Sequence, residues 1–292
     1  MLRPSARKAG AVHDRVVVLL YHSVHPSPGP ASTTPEEFRD HLSWLTEHCR
    51  LISLERTLEA VPASDDPRPS VAITFDDGFA NNHEYALPSL VDHGVPATFF
   101  LTTGLINGDA RVALRFSRML GVNPEDVKGL SWGQVLELQA EGLAIGAHTV
   151  THPNLAQLDP ATASREIEVC KHELEDRLGV EVSAFAYPFG KPKHHFSWTT
   201  IDQVQEGGYS LAVTVNHRGV KQDEPRFSIP RFAVAHDNVD FLKAKVQGER
   251  DGLGVWQQTA PRWLSNLASP DHSFSGELSL LDTPDSDEVS WC

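Results

Sequence analysis

The sequence predicts an α/β protein, built either as a closed or nearly closed β/α barrel or as an open doubly wound sheet. Three observations lead there. Seven short β-type runs recur along the chain, helical patterns separate most of them, and the runs are continuously apolar, as strands covered on both faces are. Alternation by itself does not choose between barrel and open sheet.

In chain order the runs are VVVLL (16–20), VAITF (71–75), ATFFL (97–101), LAIGA (143–147), SAFAY (183–187), LAVTV (211–215) and SIPRFAV (228–234). Pro230 weakens the last as a strand, because it cannot donate to a ladder. The helices between them carry their own end signals. Thr34-Pro35-Glu36-Glu37 is a capping box with Pro at the first helical position, and Phe38, Leu42 and Leu45 share a face behind it. Pro88 opens a helix ending near Gly94, since an interior Pro would break it. Ser131 to Gln134 caps a helix that stops near Gly142. Asp159-Pro160 opens a longer one, with Ile167, Cys170, Leu174 and Leu178 in one stripe and Gly179 at its end. Residues 197–207 and 238–247 complete the set. Residues 104–130 read as a small helical insertion on the barrel, which is expected to span 16–250. An N-terminal extension (1–15) and a C-terminal extension (251–292) flank it.

Composition excludes some functions. The formal net charge is −14 and no long Lys/Arg cluster interrupts it, which argues against nucleic-acid or anionic-membrane partners. After Arg262 no Lys or Arg follows, whereas Asp271, Glu277, Asp282, Asp285, Asp287 and Glu288 do, so the C-terminal extension is expected to end in a disordered acidic tail. Cys49, Cys170 and Cys292 are too few and too scattered for a disulfide framework or a zinc knuckle. The apolar run after the basic N-terminus is too short for a signal peptide, and no stretch reaches the length of a membrane span. The expected location is cytoplasmic.

In β/α architectures, catalytic groups collect at the carboxyl ends of strands. Here the first run is followed by Tyr21-His22, the second by Asp76-Asp77, the fourth by His148 and His152, the fifth by Pro188-Phe189-Gly190, the sixth by Asn216-His217 and the last by His236-Asp237. Each alone is structural in most proteins: Asp-Asp-Gly as a turn, H-x-x-x-H as an incidental spacing. Their common position on one rim argues for a site. Two imidazoles and a carboxylate suit Zn²⁺, with Co²⁺ or Ni²⁺ as alternatives, better than the all-oxygen shells of Ca²⁺ or Mg²⁺. One aspartate of the pair can then bind the ion while its neighbour takes a proton from water.

TFDDG (74–78) and HTVTHP (148–153) resemble the first two motifs of the polysaccharide deacetylase family, also called the NodB-homology domain or carbohydrate esterase family 4. YPFG (187–190) looks like the third motif of one subgroup, and LLYHSV (19–24) and IPRFAV (229–234) are similar to other segments of it. The resemblance covers about residues 16 to 248. It implies a distorted (β/α)7 barrel and a metal-dependent hydrolase that removes acetyl groups from acetylated sugars. Carried over by position, it makes Asp76 the general base and Asp77, His148 and His152 the metal ligands. Tyr187 and Phe189 mark the backbone that would hold the oxyanion. Two positions depart from the pattern. Ala186 stands where the family's third motif carries an Arg that pairs with the base, and Arg231 is the candidate replacement. A late Leu-x-His motif is matched only loosely by VAHD (234–237), so His236 and His22 are both candidates for the general acid; failing these, Asp76 returns its own proton. His217, His194 and His195 read as rim or solvent histidines. Hydrolysis of another C–N bond, as in a cyclic ureide or imide, and an inactive carbohydrate-binding relative are the competing readings.

Overall fold

The computed structural model describes residues 15–59 and 66–251. The chain runs β1 (Val16–Tyr21), β2 (Ser23–Val24), β3 (Ser32–Thr33), α1 (Pro35–His48), β4 (Arg50–Leu51), β5 (Ser70–Phe75), α2 (Leu87–His93) and β6 (Ala97–Leu101). It continues α3 (Thr103–Ile106), α4 (Ala110–Leu120), α5 (Trp132–Ala140), β7 (Ala144–Ala147), α6 (Pro160–Leu178) and β8 (Ala184–Ala186). It ends α7 (Trp198–Glu206), β9 (Leu211–Val213), β10 (Phe232–Ala233) and α8 (Val239–Gln247). The capping boxes at Thr34 and Ser131 both form, Asp159 caps α6, and Gly179 ends it at φ 67°. Pro88 stands in the first turn of α2, which Gly94 closes at φ 61°. A π-helical turn at Asn82–Ala86 precedes α2, and its wider ring lets the Leu87 N–H reach Asn82 O.

The seven apolar runs become β1, β5, β6, β7, β8, β9 and β10, all parallel, in the order β10-β1-β5-β6-β7-β8-β9. The two-residue strands β2, β3 and β4 are too short to show a period in sequence. The sheet curls until its ends meet. β10 pairs with β1 through Leu19 and Phe232, while Ile229, just upstream, bridges Val213 of β9. Thr214 N–H donates to Ile229 O at 2.8 Å, and Ile229 N–H to Ala212 O at 2.9 Å. Pro230 lies between the two sets of bonds, where its missing N–H costs nothing because the segment is passing from one edge to the other. That segment decides for the barrel over the open sheet.

Alternate strand residues face opposite sides. Val17, Leu19, Tyr21, Ile73, Phe75 and Phe99 join the core under the helices, with the Phe75 and Phe99 rings stacked at 4.6 Å. Val18, Ala72, Phe100, Ala184, Ala186, Val213 and Ile229 form a smaller cluster within the curl. Three alanines, Ala72, Ala184 and Ala186, belong to this inner set. Residues 103–126 form α3, α4 and a 3₁₀ turn, and Phe79, Leu105, Val112, Phe116 and Val127 make a third cluster there. Cys49 and Cys170 are buried free thiols. Except for Arg15 and Asp251, which pair at 2.5 Å, the two expected extensions lie outside the described residues, as does Cys292. Among the described residues, no helix is long and apolar enough to cross a membrane.

Phe99 joins sheet and helices at full burial, so Phe99→Ala is expected to lower unfolding free energy by roughly 3–5 kcal/mol. Leu114→Ser, on the exposed face of α4, should change it by less than about 0.5 kcal/mol. Urea unfolding followed by circular dichroism checks both.

Candidate active site and metal centre

β5 ends at Phe75, and the Asp76 N–H still follows the sheet, donating to Tyr21 O at 2.9 Å. The backbone then reverses. Asp77 has φ 73°, and Gly78 N–H bonds back to Asp76 O at 2.9 Å, a three-residue γ-turn of the rare positive-φ kind. Strain of this sort persists only where surrounding structure enforces it. Here it sends the two neighbouring carboxylates to different partners.

The second loop leaves β7 at His148 and is also left-handed, at Thr149 (φ 67°) and His152 (φ 55°). It brings both imidazoles to Asp77. Asp77 Oδ1 lies 3.4 Å from His148 Nε2 and 3.4 Å from His152 Nε2. All three residues are buried, and among the described residues they are the cluster whose donor atoms could share a metal ion. Tetrahedral bonds of about 2.0–2.2 Å put neighbouring donors about 3.3–3.6 Å apart, which is the spacing seen. Asp77 Oδ1 is buried without a hydrogen-bond partner, as an oxygen facing a cation would be. His148 Nδ1–H donates to Ala186 O at 2.8 Å, which leaves the Nε2 lone pair aimed at the centre. The residues fit a divalent ion with nitrogen and oxygen ligands.

The electrostatics agree with that fit. Burial opposes the Asp77 charge, but the neighbouring His148, His152 and His22 imidazoles outweigh it and hold the carboxyl at about 2. Burial pushes His152 down to about 3, past the opposing pull of Asp77, so it is neutral and able to donate its lone pair. Burial also works against a charged His148, yet Asp76 and Asp77 raise its pKa overall. Two carboxylates that favour positive charge at His148 also favour a cation at the same place.

Asp76 faces a different partner. Arg231 Nη1 and Nη2 donate to its two oxygens at 2.7 Å each, and Nη1 also reaches Thr74 Oγ1 at 3.1 Å. Arg231 Nε donates to Thr214 O at 3.3 Å, and the guanidinium lies 5.5 Å from the Phe100 ring centre. Arg231 is 0% exposed and Asp76 3%, so this is a buried bidentate pair inside the barrel. Burial raises the Asp76 pKa, but Arg231 and then His148 overcome it and keep the carboxyl below its usual range.

The remaining candidates separate. His22, at the end of β1, is close enough to lower the pKa of both aspartates. His236 is exposed; its backbone N–H donates to Ser32 O, and no hydrogen bond or ion pair joins its ring to the aspartates. Tyr187 cannot offer the expected oxyanion donor. Its N–H is taken by Val213 O, its hydroxyl by Phe227 O, and its ring stacks on Phe196 at 3.9 Å. Pro188 has no N–H. Phe189, left-handed at φ 60°, keeps an N–H that no backbone carbonyl accepts, and its partly exposed ring meets His152 at 4.7 Å. A cleft of about 570 Å³ is lined by Ser23, Phe79, Ala80, Asn81, Glu84 and Lys128 among others, and the aspartates, His148, His152 and Arg231 are not among its lining residues.

Sequence reading missed the residues that hold the histidine loop. Thr103 and Gly104 donate backbone N–H groups to Thr149 O and Val150 O, and Glu166 of α6 accepts from Val150 and Thr151 N–H. Only the Thr-Thr pair at the end of the third run hinted at this. Glu166 sits beside an ordinary apolar stripe and has no signature.

A parallel β/α barrel with carboxylates and imidazoles converging on its C-terminal rim defines a hydrolase-type site. Residues 63–212 match the family model described as polysaccharide deacetylase, and the chain belongs to that family. A Staphylococcus epidermidis protein named poly-beta-1,6-N-acetyl-D-glucosamine N-deacetylase is 25% identical over 221 residues, covering 72% of this chain and 71% of that one. The structure of IcaB from Ammonifex degensii is similar with a TM-score of 0.64 at 26% identity, covering 80% of this chain and 98% of that one. Streptococcus pyogenes deacetylase PplD in complex with acetate shares the fold with a TM-score of 0.66 at 23% identity, over 80% and 98%.

Chelator-stripped protein reloaded with zinc is expected to retain one ion per chain by elemental analysis. His152→Ala and Asp77→Asn should fall well below that; unchanged stoichiometry in either removes that residue from the shell.

Proposed function

We propose that this chain is a metal-dependent N-deacetylase that releases acetate from an N-acetylated glycan, with zinc the favoured ion. The observation that carries it is the pairing of two adjacent carboxylates with different jobs. Asp77 converges with His148 and His152, while Asp76 is held beside them by Arg231. The name of the S. epidermidis relative favours an N-acetylglucosamine polymer as substrate.

A bound divalent ion would polarise the acetyl carbonyl and lower the pKa of a coordinated water towards about 7. Asp77, His148 and His152 hold that ion. Asp76 accepts a proton from the attacking water; Arg231 keeps it ionised at neutral pH while making it a weaker base. Phe189 N–H is the backbone donor available to the developing oxyanion. His22 or the protonated Asp76 then delivers a proton to the leaving amine.

Acetate release from N-acetylglucosamine oligomers by zinc-loaded protein tests the reading. Asp76→Asn should lower kcat about 10²–10⁴-fold with metal content unchanged. No release from β-1,4 or β-1,6 oligomers would overturn the glycan reading, and turnover of a cyclic ureide instead would select other C–N hydrolysis.

Arg231→Ala leaves the Asp76 charge buried and unpaired, which typically costs about 3–5 kcal/mol of stability. The wild-type shift is downward, so the pair stabilises the fold above the ordinary carboxylate pKa and is lost as pH falls through the depressed one. Without Arg231 the Asp76 pKa rises, and the acid limb of kcat/KM should move to higher pH. An unmoved limb in Arg231→Ala would refute the pairing's role.

A further inference from the structure

The two histidine ligands are supported unequally. His148 is oriented through its ring, by the Nδ1–H bond to Ala186 O at 2.8 Å. His152 Nδ1 is buried and has no hydrogen-bond partner. Apart from Nε2, which faces Asp77 Oδ1 at 3.4 Å, its ring is held by packing, 5.0 Å from Phe116, 4.9 Å from His148 and 4.7 Å from Phe189 between ring centres. Metal-ligating imidazoles usually donate their second nitrogen to a fixed acceptor, and loss of such a partner weakens metal binding. At His152 that partner is missing, so the backbone must set the position of the ring.

The backbone of residues 148–152 is bonded at almost every group. His148 N–H donates to Leu101 O at 3.0 Å. Thr149 O accepts from Thr103 N–H at 3.3 Å, and Val150 O from Gly104 N–H at 2.8 Å. His152 N–H donates to Thr149 Oγ1 at 3.0 Å, and its carbonyl accepts from Arg115 at 3.4 Å. Of the other amides, those of Val150 and Thr151 both go to one carboxylate. Glu166 Oε2 accepts from Val150 N–H at 2.9 Å and Thr151 N–H at 2.8 Å, while Oε1 accepts from Thr151 Oγ1 at 2.7 Å. Ionised acceptors make hydrogen bonds roughly twice as strong as neutral ones. The segment between two left-handed residues, Thr149 and His152, is thereby tied to α6, the longest helix among the described residues.

We propose that Glu166 is a positioning residue for the metal centre: it sets the affinity for the ion by holding the Thr149–Thr151 backbone in the conformation that presents His152. This rests on the reading of Asp77, His148 and His152 as ligands. Glu166 contacts neither the ion nor substrate. It replaces, through the main chain, the second-nitrogen bond that the His152 ring does not make. The geometry also excludes a purely local helix role, because all three of its bonds go to residues 150 and 151, outside α6.

Chelator-stripped wild type, Glu166→Ala, Glu166→Gln and, as control, Glu168→Gln on the exposed side of α6 are titrated with Co²⁺ and with Zn²⁺ by indicator competition. The stability of each metal-free form is measured separately by urea unfolding. Glu166→Ala should raise the Kd for both ions about 10–100-fold and change the visible spectrum of bound Co²⁺. Glu166→Gln, which keeps one acceptor oxygen, should fall between Ala and wild type, and Glu168→Gln should match wild type. Unchanged Kd in the folded Glu166 variants, whatever their urea midpoints, would overturn the proposal, since a merely structural role predicts that result. If Glu166→Ala does not fold, Glu166→Gln decides alone, and a Kd equal to wild type overturns the proposal. Wild-type protein that takes up neither ion would instead overturn the ligand assignment itself.

Discussion

A guanidinium and a carboxylate buried together inside the barrel set the terms for the rest of the site. Arg231 grips both oxygens of Asp76 and also ties itself to Thr74 and to the Thr214 carbonyl, so four groups that water would otherwise satisfy are satisfied by one another. Arg231 lies against the inner cluster, its guanidinium 5.5 Å from the Phe100 ring centre. With both Asp76 oxygens bonded to Arg231, Asp77 makes the closer approach to the imidazoles, 3.4 Å from each against 3.8 Å from Asp76 to His148. Two adjacent negative charges are tolerated because each is answered by a different set of positive or polarisable neighbours.

Backbone strain is the second element of the same design. Asp77, Thr149, His152 and Phe189 all adopt positive φ, and all four lie on the loops that form the centre. Such conformations cost of order 1–3 kcal/mol each and survive only when other bonds over-determine them. The histidine loop shows how: α3 donates to its carbonyls and Glu166 of α6 accepts from its amides. Gly104 is required here, since a Cβ would stand 2.5 Å from Val150 O. The barrel supplies rigidity, and the loops exploit it to hold ligands about 3.4 Å apart.

Much of this was legible beforehand. Strand identity came from continuous apolar runs, and helix ends from capping residues, because both are local signals. The aspartate pair and the two histidines stood out since their positions after strands gave them a common rim. Arg231 could be named as the partner of Asp76 only because a familiar Arg was missing at Ala186. The surroundings of Tyr187 and His236 were not legible, because each depended on where the chain goes after a strand. Tyr187 remains in register with β9, which uses its N–H, and His236 leaves the rim to bond Ser32 through its backbone.

The amino-acid sequence by itself determined the elements, their order and the donor set, since residue chemistry and periodicity are written along the chain. Barrel closure was left to tertiary structure, because Pro230 obscures a strand whose two halves bond to different neighbours. So was the support of His152. Glu166 and Val150 are sixteen residues apart in sequence, and nothing local distinguishes a carboxylate that clamps a strained loop from one that faces solvent.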